Sequence, residues 1–158
     1  MTYIAYFDGG CEPNVPGGVA SYGAVIIEDD ETIWKCSEMY SPEPGHERET
    51  SNNVAEYAGL ITVLEWFTQR GLFDADITIR GDSLLAIQQM FGAWKIKKGI
   101  YTPLAYKARG LRAQFTNMRG EWIERDHNQI ADGLAKAAVE RAKAAVERAR
   151  VEAVLQPV

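Results

Sequence analysis

Cysteine and histidine are scarce in this 158-residue chain, with two of each. Cys11 and Cys36 match no metal-ligand spacing, so a thiolate zinc site is excluded and two free thiols in a reducing compartment are expected. Long hydrophobic runs are missing too. No stretch approaches the ~18 consecutive apolar residues of a membrane span. The opening "MTYIAYFDGG" has neither a basic region nor a cleavage-site pattern, and reads as a strand that starts almost at once. These absences give the expectation of a cytoplasmic protein with no membrane partner. The length suits one domain with a proper core.

Another absence is local. Residues 83–120 contain no acid and seven bases: Lys95, Lys97, Lys98, Lys107, Arg109, Arg112 and Arg119. Residues 1–82 are the opposite, with 15 acids against 4 bases. The net charge of −5 argues against a polyanionic partner. The acid-free basic segment argues for a phosphate-contacting patch, with a solvated helix face as the plainer reading.

What is present alternates in period. "YIAYF" at 3–7 is an apolar run ending at the turn signal Asp8-Gly9-Gly10. Residues 18–29 and 32–40 read as a hairpin of two more strands. From Ser51 to Arg70, Tyr57, Leu60, Ile61, Leu64 and Phe67 fall at helical spacing. A strand at 76–80, a helix at 83–91, a Gly-rich basic loop, a helix at 103–115 and a strand within 119–125 follow. A final helix starts near Asn128 and runs beyond Arg150. Hairpin strands followed by strand–helix alternation imply an α/β fold with a mixed sheet flanked by helices. In the last helix "AKAAVER" occurs at 135–141 and again at 142–148. The expected division is therefore a domain over 1–141 and a helical extension over 142–158 with a frayed end.

Four acids stand at edges of these elements. Asp8 closes the first strand, and Glu56 lies in the first turn of the first long helix. Asp82 follows the fourth strand, and Asp132 lies one turn into the last helix. Each has a plain local explanation: a turn pair at Asp8-Gly9, a capping box from Asn53 to Glu56, a cap at Asp82-Ser83, and a dipole-favoured acid at Asp132. Asn128 or Asp126 would cap the last helix. Together the four weaken those explanations. Strands 1 and 4, if parallel neighbours, bring Asp8 and Asp82 to one carboxyl edge, where ligands of open α/β sheets bind. Four converging carboxylates repel one another and call for divalent cations. Oxygen-only ligands select Mg²⁺, with Mn²⁺ as the alternative. Two ions match the charge of four carboxylates and suit hydrolysis of a phosphodiester without a covalent enzyme intermediate.

"FDGGCEPNVPGG" at 7–18, "TSNNVAEYAGLITVLE" at 50–65, "RGDSLLAIQQM" at 80–90 and "RDHNQIADGLA" at 125–135 resemble, in order, the four signature blocks of type 1 ribonuclease H. The resemblance implies the ribonuclease H-like fold, a five-stranded mixed sheet in the order 3-2-1-4-5 with, here, an extended C-terminal helix. It implies an endonuclease that cleaves the RNA strand of RNA–DNA hybrids with two Mg²⁺ ions, leaving 5′-phosphate and 3′-hydroxyl ends. Asp8, Glu56, Asp82 and Asp132 take the metal-ligand positions, and a monomer is expected. By motif position Gly9, Gly10, Cys11 and Asn14 would contact RNA, where 2′-hydroxyls suit backbone and small polar groups. Pro13 and Val15 depart from the family pattern around Asn14. Ser51, Asn52 and Asn53 match contacts to both strands. "GAWKIKKG" is too short for the family's basic protrusion and resembles compact members that lack it. Trp94 would stack on a DNA sugar, with Lys95, Lys97 and Lys98 on phosphates. His127 is the candidate auxiliary catalytic residue, with a solvated loop position as the alternative.

Two other readings compete. A second nuclease of the same superfamily would lack the "DGGC" and "SNNVAE" pair, and a 3′–5′ exonuclease would carry an acid where Gly10 stands. A catalytically weak hybrid- or double-stranded-RNA-binding module would have lost one or more of the four acids, all of which are present.

Overall fold

The computed structural model describes residues 1–156. The elements in chain order are β1 (Thr2–Glu12), β2 (Val19–Glu28), β3 (Glu31–Met39), α1 (Asn52–Gln69), β4 (Asp76–Gly81), α2 (Leu84–Phe91), α3 (Thr102–Arg112), β5 (Met118–Trp122) and α4 (Gln129–Leu155). A single turn of 3₁₀ helix at Arg125–His127 leads into α4. The strands form one sheet in the order β3-β2-β1-β4-β5. β1–β2 and β2–β3 are antiparallel, whereas β1–β4 and β4–β5 are parallel. The sheet order implied by the family resemblance is therefore the order observed. No helix among the described residues is long and apolar enough to cross a membrane. The expected frayed end falls partly on residues 157 and 158, which lie outside the described residues.

The sheet separates two unlike helical layers. On one face α1 is buried nearly all round, with Tyr57, Leu60, Leu64 and Phe67 packed on Ala5, Phe7, Ile77 and Ile79 and flanked by α2 and α3. On the other face α4 lies across β2, β3 and β1. It seats on the sheet through the small residues Ala131, Ala135 and Ala138. Small residues allow a close approach: a Cβ on Gly23 of β2 would stand 2.5 Å from the Ala131 carbonyl oxygen and 2.7 Å from the Ala135 nitrogen. Further along, Arg141 donates from Nη1 to Ser37 Oγ (3.0 Å) and from Nη2 to the Ser37 carbonyl (2.6 Å), tying α4 to β3. Beyond it, Lys143 to Leu155 are all exposed.

β1 differs from its expected length. The Asp8-Gly9-Gly10 signal predicts a turn, yet the strand continues to Glu12. Its antiparallel partner accounts for this, because β2 pairs with it as far as Glu12↔Val19. Parallel pairing with β4, in contrast, stops at Phe7↔Gly81. The turn comes later, through a cis Glu12–Pro13 peptide.

Candidate active site

Asp8 is the first residue of β1 without a β4 partner, and Asp82 follows the last residue of β4. The parallel register thus sets the two acids side by side where the sheet splits. Glu56 reaches the same point from α1. A Cβ on Gly9 would lie 2.3–2.5 Å from the Ala55 carbonyl and the Glu56 nitrogen, so glycine there lets the helix start close onto the strand. One carboxylate oxygen from each of Asp8, Glu56 and Asp82 lies within 4.8 Å of the others. Asp132, on the first turn of α4, borders the same groove but stands outside that cluster. Its Oδ2 pairs with Lys136 Nζ one turn on, at 2.9 Å.

The local folding of these segments frees the acids from capping. Ser51 caps α1, accepting from the Val54 N–H (3.1 Å), so the expected capping box at Asn53 does not form. Ser83 caps α2, accepting from the Ala86 N–H, and Asp82 is left to face the groove. Asn128 occupies the cap position of α4, yet its side chain makes no cap bond. Each serine hydroxyl accepts from the N–H three residues on, so at these two helix starts the acid stays available for other work.

Electrostatically the cluster is uncompensated. Burial, followed by the Asp82 charge, pushes the Asp8 carboxyl up to about 8. Burial together with Asp8 and Asp82 drives Glu56 well above the carboxylate range. At Asp132 burial also opposes ionisation, but Lys136, with Asp8 and Arg125, outweighs it and holds that carboxyl below its usual value. Glu56 Oε2 and Asp82 Oδ1 are shielded from solvent and have no hydrogen-bond partner. Buried carboxylate oxygens left bare are costly. An all-oxygen set of this kind fits a hard divalent cation held by Asp8, Glu56 and Asp82, with Asp132 beside them.

The groove around the acids measures about 690 Å³. Gly9, Gly10, Cys11, Asn14 and Asn52 line it, all expected from their motif positions. A small network organises them: the Cys11 N–H donates to Asn52 Oδ1 (2.7 Å) and the Asn52 N–H to Asn14 Oδ1 (2.9 Å). Ser51 and Asn53 stand at the helix start without lining the groove. His127 borders a separate small pocket with Tyr6 and Ile130. Trp94, Lys95, Lys97 and Lys98 lie apart from the groove, on an exposed loop after α2, with Trp94 48% exposed.

That loop is held from beneath. Gln89, buried in α2, donates through Nε2 to the Lys95 carbonyl (3.1 Å) and to Tyr101 Oη (3.0 Å), and accepts from the Tyr57 hydroxyl. Four of the seven bases in the acid-free segment turn out to be engaged. Lys107 pairs with Glu65 and Arg119 with Asp76. Arg109 lies over the Tyr106 ring, and Arg112 donates to the Phe115 and Met118 carbonyls. Lys95, Lys97 and Lys98 carry no such contact among the described residues.

Three residues of this region escape the motif reading. Arg125 and Lys136 line the acidic groove. Lys136 carries a legible signal, since a cation four residues after an acid on a helix faces it. Asn128 reads as a cap and instead is buried, 1% exposed, donating from Nδ2 to the Phe7 carbonyl at 2.8 Å.

The chain is similar to known proteins over most of its length. The family model described as "Reverse transcriptase-like" matches residues 7–138. A bifunctional protein of Mycobacterium tuberculosis is 35% identical over 143 residues, covering 90% of this chain and 36% of the relative. The chain thus spans about a third of the length of that relative. The solved RNase H1 of Halobacterium salinarum superposes with a TM-score of 0.75 at 30% identity, over 89% of this chain and 99% of that one. LC11-RNase H1 in complex with an RNA/DNA hybrid superposes at 0.77 with 31% identity, over 89% of this chain and 99% of that one.

Proposed function

The chain belongs to the type 1 ribonuclease H family, and from that premise we propose that it is an endonuclease hydrolysing the RNA strand of RNA–DNA hybrids by two-metal-ion catalysis. The products would carry 5′-phosphate and 3′-hydroxyl ends. The observation that carries the reading is the set of three carboxylates whose oxygens lie within 4.8 Å at the split between β1 and β4. A relative of the same fold, LC11-RNase H1, is known in complex with an RNA/DNA hybrid.

Asp8, Glu56 and Asp82, joined by Asp132, would hold two Mg²⁺ ions, with Mn²⁺ as substitute. Bound there, such ions supply an activated water on one side of the scissile phosphate and charge neutralisation on the other. The chain's own groups do the rest. Gly10, where an added Cβ would meet nothing within 4 Å, leaves the floor of the groove open to a ribose, and Cys11 and Asn52 present a hydrogen-bonded wall to it. Arg125 sets a fixed positive charge at the groove, suited to a non-bridging phosphate oxygen. The free lysines 95, 97 and 98 with exposed Trp94 offer a second contact, suited to the DNA strand. Action as a cytoplasmic monomer on this substrate completes the reading.

The test is cleavage of a labelled hybrid with Mg²⁺. Loss of an outer-shell partner costs metalloenzymes about 10–100-fold, so removing a ligand in Asp8→Asn should cost more than about a hundredfold. Cleavage surviving Asp8→Asn, or absent from the unmodified chain, would overturn the mechanism. Equal hydrolysis of single-stranded RNA would overturn the substrate.

A further inference from the structure

We infer that Asn128 is a positioning residue that sets the separation of Asp8 on β1 from Asp132 on α4. The inference rests on the carboxylate–metal reading above. Asn128 is 1% exposed and leaves its own helix uncapped. Its amide instead crosses 121 positions of sequence to reach the Phe7 carbonyl, 2.8 Å from Nδ2. Phe7 is the residue immediately before Asp8, and the last of β1 to pair with β4. Asn128 also stands at the start of α4, its carbonyl accepting the Asp132 N–H at 3.0 Å in the helix's first i→i+4 bond, which puts Asp132 one turn away on the same rigid element. The side-chain bond therefore fastens the start of the helix that carries Asp132 to the neighbour of Asp8.

The surrounding packing leaves this link little slack. Gly23, paired across from Asp8 in β2, leaves no room for a side chain: an added Cβ would meet α4 backbone at Ala131 and Ala135, on both sides of Asp132. Lys136 Nζ lies 2.9 Å from the Asp132 carboxylate. Asn128 Oδ1 has no partner, although it is buried. The amide is thus half-satisfied, and the half that is satisfied is the bond to β1. A residue kept only to cap α4 would use its side-chain oxygen on the helix N–H groups. A residue kept only for packing would not bury a bare amide oxygen.

The experiment uses the full chain and two readouts, hybrid cleavage with Mg²⁺ and calorimetric titration with Mn²⁺. Asn128→Ala should lower kcat by about 10–100-fold, as loss of an outer partner does, with KM for the hybrid within about twofold. It should weaken Mn²⁺ binding, and combined with Asp132→Asn it should weaken it no further than Asp132→Asn alone. A merely structural role would lower the melting temperature and leave Mn²⁺ affinity of the folded protein unchanged, and that result overturns the inference. So does full additivity of the two substitutions. Should Asn128→Ala not fold, Asn128→Leu keeps the volume, deletes the amide and carries the same comparison. If the unmodified chain fails to cleave hybrid, the functional reading falls, and the Mn²⁺ titration still decides the role of Asn128.

Discussion

At Asp8, burial and the Asp82 charge both oppose ionisation and push the folded carboxyl from its ordinary 3.8 up to about 8. Between those values the folded chain keeps a proton that the unfolded chain has released. Stability without metal must therefore fall as pH rises from about 4 to about 8 and level off above. Glu56, raised in the same direction, adds to the slope. Thermal unfolding in EDTA should show this decline, and Mg²⁺ should abolish it by favouring the ionised form. In EDTA near pH 8, Asp8→Asn should raise the melting temperature by several degrees, at about 2–4 °C per kcal/mol in a chain of this size. A lower melting temperature for Asp8→Asn would mean that the acid stabilises the fold and is not strained by it. The identities of these acids were legible because four of them recur at element edges. Their freedom from capping was not, because Ser51 and Ser83 sit one step from residues that cap equally well.

Elements place these residues by ending at different points. β1 keeps its antiparallel partner to Glu12 and loses its parallel one after Phe7, and the groove opens in the difference. A turn-forming dipeptide at Asp8-Gly9 hides this in the sequence, since the local signal is outvoted by five further pairs with β2. The loop after α2 shows the reverse: its sequence is Gly-rich and basic, yet a buried amide holds it. Gln89→Leu should remove the bonds to the Lys95 carbonyl, Tyr101 and the Tyr57 hydroxyl while keeping an apolar side chain in the α2 core. The expected result is a raised KM for the hybrid with kcat near normal, measured by steady-state cleavage at two salt concentrations. An unchanged KM would show that Trp94 and Lys95 to Lys98 do not touch substrate. Tyr57 stacked on Tyr101 should keep the helix packing intact in that variant.

For the whole molecule, periodicity and turn chemistry give the α/β class and the mixed sheet, and the family's signature blocks give its order. What stayed hidden was contact between distant segments. Asn128 meets Phe7, Arg141 meets Ser37, and no local pattern announces a partner 104 or 121 residues away. The second of these contacts gives a test of where the folded domain ends. A chain truncated after Arg141 keeps the clamp on β3, and because Lys143 to Leu155 are exposed its melting temperature should shift by no more than about 2 °C. A chain truncated before Arg141 loses a charged donor bound twice to Ser37, worth about 1.5–3 kcal/mol, and should melt several degrees lower. Equal melting of the two would place the boundary elsewhere.

The second "AKAAVER" unit can also be taken as a ruler. Seven residues advance a helix by about 10 Å and turn it by only about 20° short of two full turns. Deleting or adding one copy would shorten or lengthen the arm in such steps while leaving Ala131, Ala135 and Ala138 seated on the sheet. A fluorophore or a tether at its tip would then report or impose distance from the groove in graded increments, with almost the same side of the rod facing the body each time.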